Sequence, residues 1–362
     1  MRRVKVGVIG CGAISAKYLE NLTGPFRFCI EVAACADLIP ERAQSRAAEF
    51  GVPRACSVAE LLADPEIEMV VNLTVPAAHY EVSLAALEAG KHVYTEKPLA
   101  VTREEGRLLL AKARSMGVRI GGAPDTFLGA GLQTCRKLID DGWIGRPLTA
   151  TAIIAMGVKA ERYYKVGVGP LFDMGPYFLT ALIHLLGPVQ RVTGSAQTPF
   201  PVKTYSDPLS PDYGKSFTVD TPTNIAGVLD LAGGCTAVLT TICEIPGYNP
   251  RLEVYGTEGI LVCNDPNMFS GPLTLKRGND VREVPFSHGY AENSRGLGIA
   301  DMAIALQTGR PHRASGELMF HVLDVSHALQ EASAEGRHQQ IGSMVARPEP
   351  FRAGLGVNVF VG

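Results

Sequence analysis

The apolar positions in the first third of the chain fall into short runs separated by helical patterns. VKVGVI (residues 4–9) is a β-rich run, followed by the turn GCGAIS and then by AKYLENL with helical character. IEVAACAD ends a second run at Asp37, and MVVNLT (69–74) reads as a buried strand. HYEVSLAALEAG predicts a helix stopped at Gly90, and KHVYTEK predicts another strand. TREEGRLLLAKARSMG predicts a helix opened by Thr102 with Glu105 three residues later, the capping-box pattern. VRIGGAP closes the unit. Strands alternating with helices predict an α/β fold with a parallel, doubly wound sheet, whose ligands lie beyond the carboxyl ends of the strands. Three such ends converge: Gly10–Ile14, Thr74–Pro76 and Glu96–Pro98.

Beyond residue 123 the pattern changes. A helix over about 129–141 stops at Gly142, and LTATAIIAMG begins a new sheet. Further β-rich runs cover 189–197, 224–231, 235–243, 250–255 and 260–263. GVLDLAGGCTAVLTTI predicts a hairpin turned at Gly233–Gly234, and YGTEGIL has the same strand–turn–strand character. Between the runs lies LFDMGPYFLTALIH (171–184), where Pro176 suits a first helical turn. Leu179, Leu182, Ile183 and Leu186 mark one buried face of that helix. A chain of 362 residues exceeds the usual size of one core. The expected division is a dinucleotide-binding domain over 1–123, a substrate and oligomerisation domain over 124–345, and a tail over 346–362.

Composition narrows the function. Hydrophobic residues at 46% and charged residues at 19% describe an ordinary globular protein. A formal net charge of −2 without a basic run argues against nucleic acid or an anionic membrane as partner. No apolar run approaches the roughly 18–20 residues that span a bilayer, and MRRVKVGVIGCG does not read as a secretory signal. The eight cysteines show no CxxC pair and no histidine cluster at ligand spacing, so neither a metal site nor a disulfide framework is expected. A cytoplasmic compartment follows.

The candidate chemistry starts at the glycine turn. Gly10 allows a tight turn, and Gly12 lets backbone N–H groups of the Cys11–Ile14 segment approach a pyrophosphate at a helix N-terminus. Ser15, a small residue, takes the third glycine position. Asp37 stands 25 residues after Gly12, near the spacing at which a carboxylate meets the adenosine ribose. Leu38, Ile39 and Pro40 follow it with no arginine, so NAD is favoured over NADP. Lys97 sits on a strand end before Pro98, where an ammonium beside a nicotinamide can lower the pKa of a substrate hydroxyl. Asp173 and Tyr177 lie four residues apart and share a side if the turn is helical. They read either as a helix cap with a tyrosine over it or as half of an active site.

GCGAIS, LTVPAAH, TEKPLA, GPLFDMGPY and GRPHRASGE together resemble the Gfo/Idh/MocA oxidoreductases, relatives of glucose–fructose oxidoreductase and inositol dehydrogenase, over about residues 3–345. The resemblance implies a Rossmann domain followed by an α/β domain with a large, mostly antiparallel sheet that makes dimer or tetramer contacts. It implies that Lys97 contacts both substrate and cofactor, and that Asp173 binds and orients the substrate. Thr74, Val75, Pro76 and His79 are placed near the nicotinamide half of the cofactor, with Leu38 and Glu96 completing its expected contacts. Asp125 and Tyr164 are further candidate substrate contacts, Tyr164 within the 158–169 loop.

One departure from the family pattern is Tyr177, where many members carry a proton-accepting histidine. Tyrosine ordinarily titrates near 10 and histidine near 6.5. A tyrosine base therefore needs a neighbouring cation such as Lys97; alternatively Tyr177 only binds substrate and Lys97 relays the proton. His184 reads as structural, and His288 and Tyr290 as polar candidates on loop-like sequence. The expected activity is NAD-dependent oxidation of a secondary hydroxyl on a sugar, inositol, polyol or glycoside. Two rivals are a redox-neutral elimination or glycoside cleavage that retains NAD, and a non-catalytic sensor.

Overall fold

The computed structural model describes residues 2–157, 161–165, 168–206, 208 and 210–354. The missing parts of the 158–169 loop and of the tail, 158–160, 166–167 and 355–362, lie outside the described residues. Two compact units form. One holds the chain up to Gly129, His288–Phe320 and the described tail from Pro348; the other holds Ala130–Ser287 and His321–Arg347.

In the first unit the alternation read from the sequence becomes β1 (Val4–Ile9), α1 (Ser15–Thr23), β2 (Ile30–Ala36), α2 (Pro40–Phe50), α3 (Val58–Ala63), β3 (Met69–Asn72), α4 (His79–Glu88), β4 (His92–Thr95), α5 (Arg103–Met116) and β5 (Ile120–Gly122). The five strands are parallel in the order β2-β1-β3-β4-β5. Val4, Val6, Val8, Val70, Val71 and Val93 are fully buried, as strands covered on both faces require. Burying such a side chain stabilises the fold by about 1.5–3 kcal/mol. Thr102 caps α5 through the reciprocal bonds expected: its hydroxyl accepts Glu105 N–H at 3.2 Å, and the Glu105 carboxylate accepts Thr102 N–H at 2.9 Å.

Register aligns the strand ends. Ile9 lies opposite both Ala36 and Asn72, Asn72 opposite Thr95, and Thr95 opposite Gly122. The next residues therefore crowd one edge of the sheet: Gly10, Asp37, the turn through Thr74, and Glu96–Lys97. The continuous domain expected over 124–345 is interrupted: the chain returns to the first unit at 288–320. Hydrogen bonds explain the return. Asn21 donates to the carbonyls of Asn293 and Arg295 at 2.9 and 2.8 Å. Asp125 accepts the N–H groups of Gly296 and Gly298 at 2.8 and 3.0 Å.

The second unit contains α6 (Ala130–Asp140), β6 (Pro147–Gly157), α7 (Gly169–Asp173), α8 (Gly175–Leu186), β7 (Val189–Gln197), β8 (Val202–Thr204), β9 (Ser216–Thr218), β10 (Asn224–Leu231), β11 (Thr236–Ile242), β12 (Glu244–Gly256), β13 (Ile260–Val262), β14 (Thr274–Arg277) and β15 (Asp280–Glu283). After α9 (Leu297–Thr308) of the first unit come α10 (Gly316–Glu335) and β16 (Gln339–Gln340). Nine strands form one sheet, β15-β14-β13-β12-β6-β11-β10-β7-β16, antiparallel except for the β6–β11 pair. The β10–β11 hairpin turns through Gly233 and Gly234, the latter at φ +75°. On β10 and β11, Ile225, Leu229, Ala237 and Leu239 are buried while Ala226 and Val228 alternate outward with Thr236 and Val238. β8 and β9 form a separate two-stranded ribbon that the sequence reading did not anticipate.

Candidate functional site

At the strand edge of the first unit, Gly10 has φ +99°, and a Cβ there would meet the backbone of Leu73 and Thr74 at 2.6–2.7 Å. Glycine is required for this turn to lie against the neighbouring strand end. Gly12 is different: a Cβ would meet nothing within 4 Å, so its surface opens onto free space beside the N-terminus of α1. Asp37 reaches back to this turn, its Oδ2 accepting Cys11 N–H at 2.7 Å and its Oδ1 accepting Ile39 N–H at 2.9 Å. Each carboxylate oxygen keeps a second lone pair for a ribose hydroxyl.

A cavity of about 510 Å³ adjoins the turn, lined by Cys11, Gly12, Ala13, Glu41, Arg42, Ser45 and Arg46. Arg46 donates to Ser15 Oγ at 3.2 Å, bringing positive charge beside the α1 N-terminus. Ile14, Leu38 and Val75 stand exposed, apolar surface of the kind on which a planar base can lie. An open glycine face, a helix N-terminus and a carboxylate beside the turn fit a dinucleotide.

Lys97 is half-buried, and its N–H and the residue before it are both hydrogen-bonded. Its N–H donates to Glu96 Oε2 at 3.0 Å, and Glu96 N–H donates to Asn72 O at 2.8 Å. Beyond it, His79 is buried with Nδ1 at 2.6 Å from Pro98 O and Nε2 at 3.0 Å from Thr74 O. Burial lowers the affinity of this imidazole for a second proton, against the opposing pull of the two carbonyls. A neutral ring carries one N–H, so it donates to one of them. The His79 ring thus sits inside the protein between the Thr74 and Pro98 turns, bonded to one carbonyl and packed against the other. Pro76 opens the short helical turn that leads into α4 at His79.

Two expected contacts turn inward. Glu96 is buried, and its two carboxylate oxygens receive Tyr18 O–H and Lys97 N–H. Asp125 is buried and anchors the start of α9 through Gly296 and Gly298. Burial pushes the Asp125 carboxyl up to about 6, opposed by these N–H bonds and by Arg295. Sequence spacing carries no signal for this partnership, because the glycines lie 171 and 173 residues away.

In the second unit, Asp173 is the last residue of α7 and Tyr177 lies in the first turn of α8. Met174 joins the two helices, and its carbonyl accepts Tyr177 N–H at 3.1 Å. Asp173 is half-buried; Tyr177 is 8% exposed. Tyr248 donates to Asp265 at 2.8 Å, and burial, the Asp265 charge and, least of these, Tyr177 push its phenol up. His184 is structural as expected: its ring meets Gln133 at 3.2 Å, and its carbonyl accepts from Arg136 and Arg347 at 2.9 Å each.

Tyr164 was expected to face substrate, but its side chain is fully buried. Its ring lies 5.6 Å from Phe217, and the Lys203 ammonium sits 4.8 Å from the Tyr164 ring centroid. The β8–β9 ribbon supplies both residues, which is why a loop reading that omitted the ribbon left Tyr164 exposed. In the first unit, His288 bonds the Phe351 carbonyl at 3.1 Å, and Tyr290 is buried at φ +65°.

Comparison with known proteins follows the same division. Residues 4–122 match the oxidoreductase family with an NAD-binding Rossmann fold, and residues 132–262 match the GFO/IDH/MocA C-terminal domain. The chain is 30% identical over 278 residues to inositol 2-dehydrogenase of Ralstonia nicotianae, covering 74% of this chain and 76% of that one. It is 27% identical over 350 residues to 1,5-anhydro-D-fructose reductase of Ensifer adhaerens, covering 92% and 98%. Among solved structures, levoglucosan dehydrogenase in its apo form superposes with a TM-score of 0.84 at 21% identity, over 95% of this chain and 100% of that chain. At that identity the last likeness is one of fold. The family matches and the inositol dehydrogenase relationship together identify the chain as a member of the GFO/IDH/MocA oxidoreductases.

Proposed function

We propose that the chain catalyses reversible NAD-dependent oxidation of a secondary hydroxyl on a sugar, inositol, polyol or glycoside. The observation that carries this reading is one strand edge bearing both an open glycine turn and a lysine whose N–H is bonded to Glu96 and whose neighbour Pro98 meets His79. Relatives named for inositol, anhydrofructose and levoglucosan support the substrate class. Levoglucosan dehydrogenase has been solved with NADH and levoglucosan, which supports the cofactor class.

Gly10–Ile14 would hold the pyrophosphate, Asp37 the adenosine ribose, and Thr74–Pro76 the nicotinamide half. When bound, the nicotinamide supplies the hydride acceptor. Lys97 hydrogen-bonds the substrate oxygen and stabilises it as its proton leaves. Asp173 binds a neighbouring hydroxyl, and Tyr177 either receives the proton or fixes the substrate. Asp37 favours NAD, while Arg42 and Arg46 beside the same turn make a paired test with NADP necessary.

The test is formation of reduced dinucleotide with NAD or NADP across a panel of inositols, anhydrosugars and aldoses. Turnover with one of them and NAD supports the reading. Product formation without net NADH replaces it with the redox-neutral reaction. Ligand binding without turnover or isotope exchange leaves a sensor. We assign homodimer or homotetramer contacts to the second unit's sheet face carrying Val228 and Val238, each 40% exposed; light scattering tests this.

A further inference from the structure

We propose that Tyr18 is a positioning residue for Lys97, acting through the Glu96 carboxylate. The inference rests on the role given to Lys97 above. Tyr18 lies on α1, one turn beyond the glycine loop, and is fully buried. Its hydroxyl donates to Glu96 Oε1 at 2.7 Å, while Glu96 Oε2 accepts the Lys97 N–H at 3.0 Å. One carboxylate therefore joins the helix that opens at the dinucleotide turn to the main chain of the lysine. Nothing in the assigned cofactor or substrate contacts requires this tyrosine.

Burial and the neighbouring Glu96 push the Tyr18 hydroxyl well above its usual range, so it remains a donor at every working pH. Its other charged or titratable neighbours are Asp125 and Tyr94, both buried. The surroundings leave little slack: a Cβ on Gly298 would meet Tyr94 Oη at 2.3 Å, and one on Gly296 would meet the Tyr18 ring at 3.7 Å. Without the tyrosine hydroxyl, Glu96 Oε1 becomes a buried acceptor lacking this donor. The carboxylate then turns toward another partner and takes the Lys97 N–H with it. A displacement approaching 1 Å at a reacting group lowers turnover by up to about 100-fold.

The experiment uses Tyr18→Phe, Glu96→Gln and the double variant in the full chain. Turnover with the substrate found above is measured alongside thermal melting. A second readout needs no turnover: acetylation of Lys97 in the protein without substrate, relative to exposed Lys215, followed by peptide mass spectrometry. The expected result is a fall in kcat of about 10- to 100-fold for Tyr18→Phe, with KM for NAD nearly unchanged and an altered Lys97 labelling ratio. The double variant should be no worse than Glu96→Gln, because both changes break one connection. Wild-type kcat and labelling in Tyr18→Phe would overturn the proposal, as would strictly additive losses. Loss of kcat alongside lowered melting and unchanged labelling would make Tyr18 a general structural residue. If the wild type turns over no substrate, the functional reading fails, and the labelling ratio still decides the role of Tyr18.

Discussion

Replacing Gly10 or Gly12 with alanine separates the turn's structural demand from its ligand-binding demand. At Gly10 the new Cβ adopts φ +99° and meets the Leu73 and Thr74 backbone at 2.6–2.7 Å, where no flexible side chain can yield. The backbone strain costs about 1–2 kcal/mol and the overpacking about 1–3 kcal/mol. Together they destabilise the protein by about 2–5 kcal/mol, a melting shift on the order of 5–15 °C. At Gly12 the Cβ meets nothing and the backbone is ordinary, so stability should hold or rise by up to about 1 kcal/mol. The same methyl would occupy the space assigned to the pyrophosphate. Losing one charge-assisted hydrogen bond there costs about 1.5–3 kcal/mol, or roughly 10- to 150-fold in NAD affinity. Differential scanning calorimetry and NADH fluorescence titration read the two effects separately. Wild-type NAD affinity in Gly12→Ala would refute the cradle, and wild-type melting in Gly10→Ala would refute the steric argument.

Other consequences follow from named groups. Asp125 titrates near 6 when folded, against an ordinary 3.8, so its stabilising protonated form is fully present below about pH 4 and is lost as pH rises through 6. Asp125→Asn keeps an oxygen for the glycine N–H groups and should gain melting temperature relative to wild type between about pH 4 and 7; a constant difference contradicts this. Tyr164→Ala removes a fully buried aromatic ring and should cost about 3–5 kcal/mol in urea denaturation. A change confined to substrate KM would instead restore Tyr164 as a substrate contact. Asp173→Asn should lower kcat/KM about 10- to 100-fold with little change in melting, since its loss removes a charged substrate hydrogen bond; unchanged kcat/KM contradicts the assignment.

Much of the fold is legible because local chemistry and burial agree. The runs read at 189–197 and 224–231 become β7 and β10 with the same bounds, and Thr102 caps α5 through Glu105. The glycine turn and Asp37, which their spacing placed at one ligand, also bond each other through Cys11 N–H. What was not legible depends on distant partners. Asp125 looked available for substrate because its glycine donors arrive from the far end of the chain. Tyr164 looked like a lid residue because short β8 and β9 carry too few residues for a clear alternation. His79 was placed beside the nicotinamide by resemblance, and its sequence gives no sign of the two carbonyls that flank its ring.

In the proposed reaction, hydride leaves a substrate carbon while Lys97 supports the departing proton. Its most direct test uses the active substrate deuterated at the oxidised carbon, with mass spectrometry of the recovered dinucleotide. Deuterium should appear in the reduced nicotinamide with ketone in equal amount, and Lys97→Ala should lower both by about 100-fold or more. Unlabelled dinucleotide alongside product, or undiminished transfer in Lys97→Ala, would contradict it.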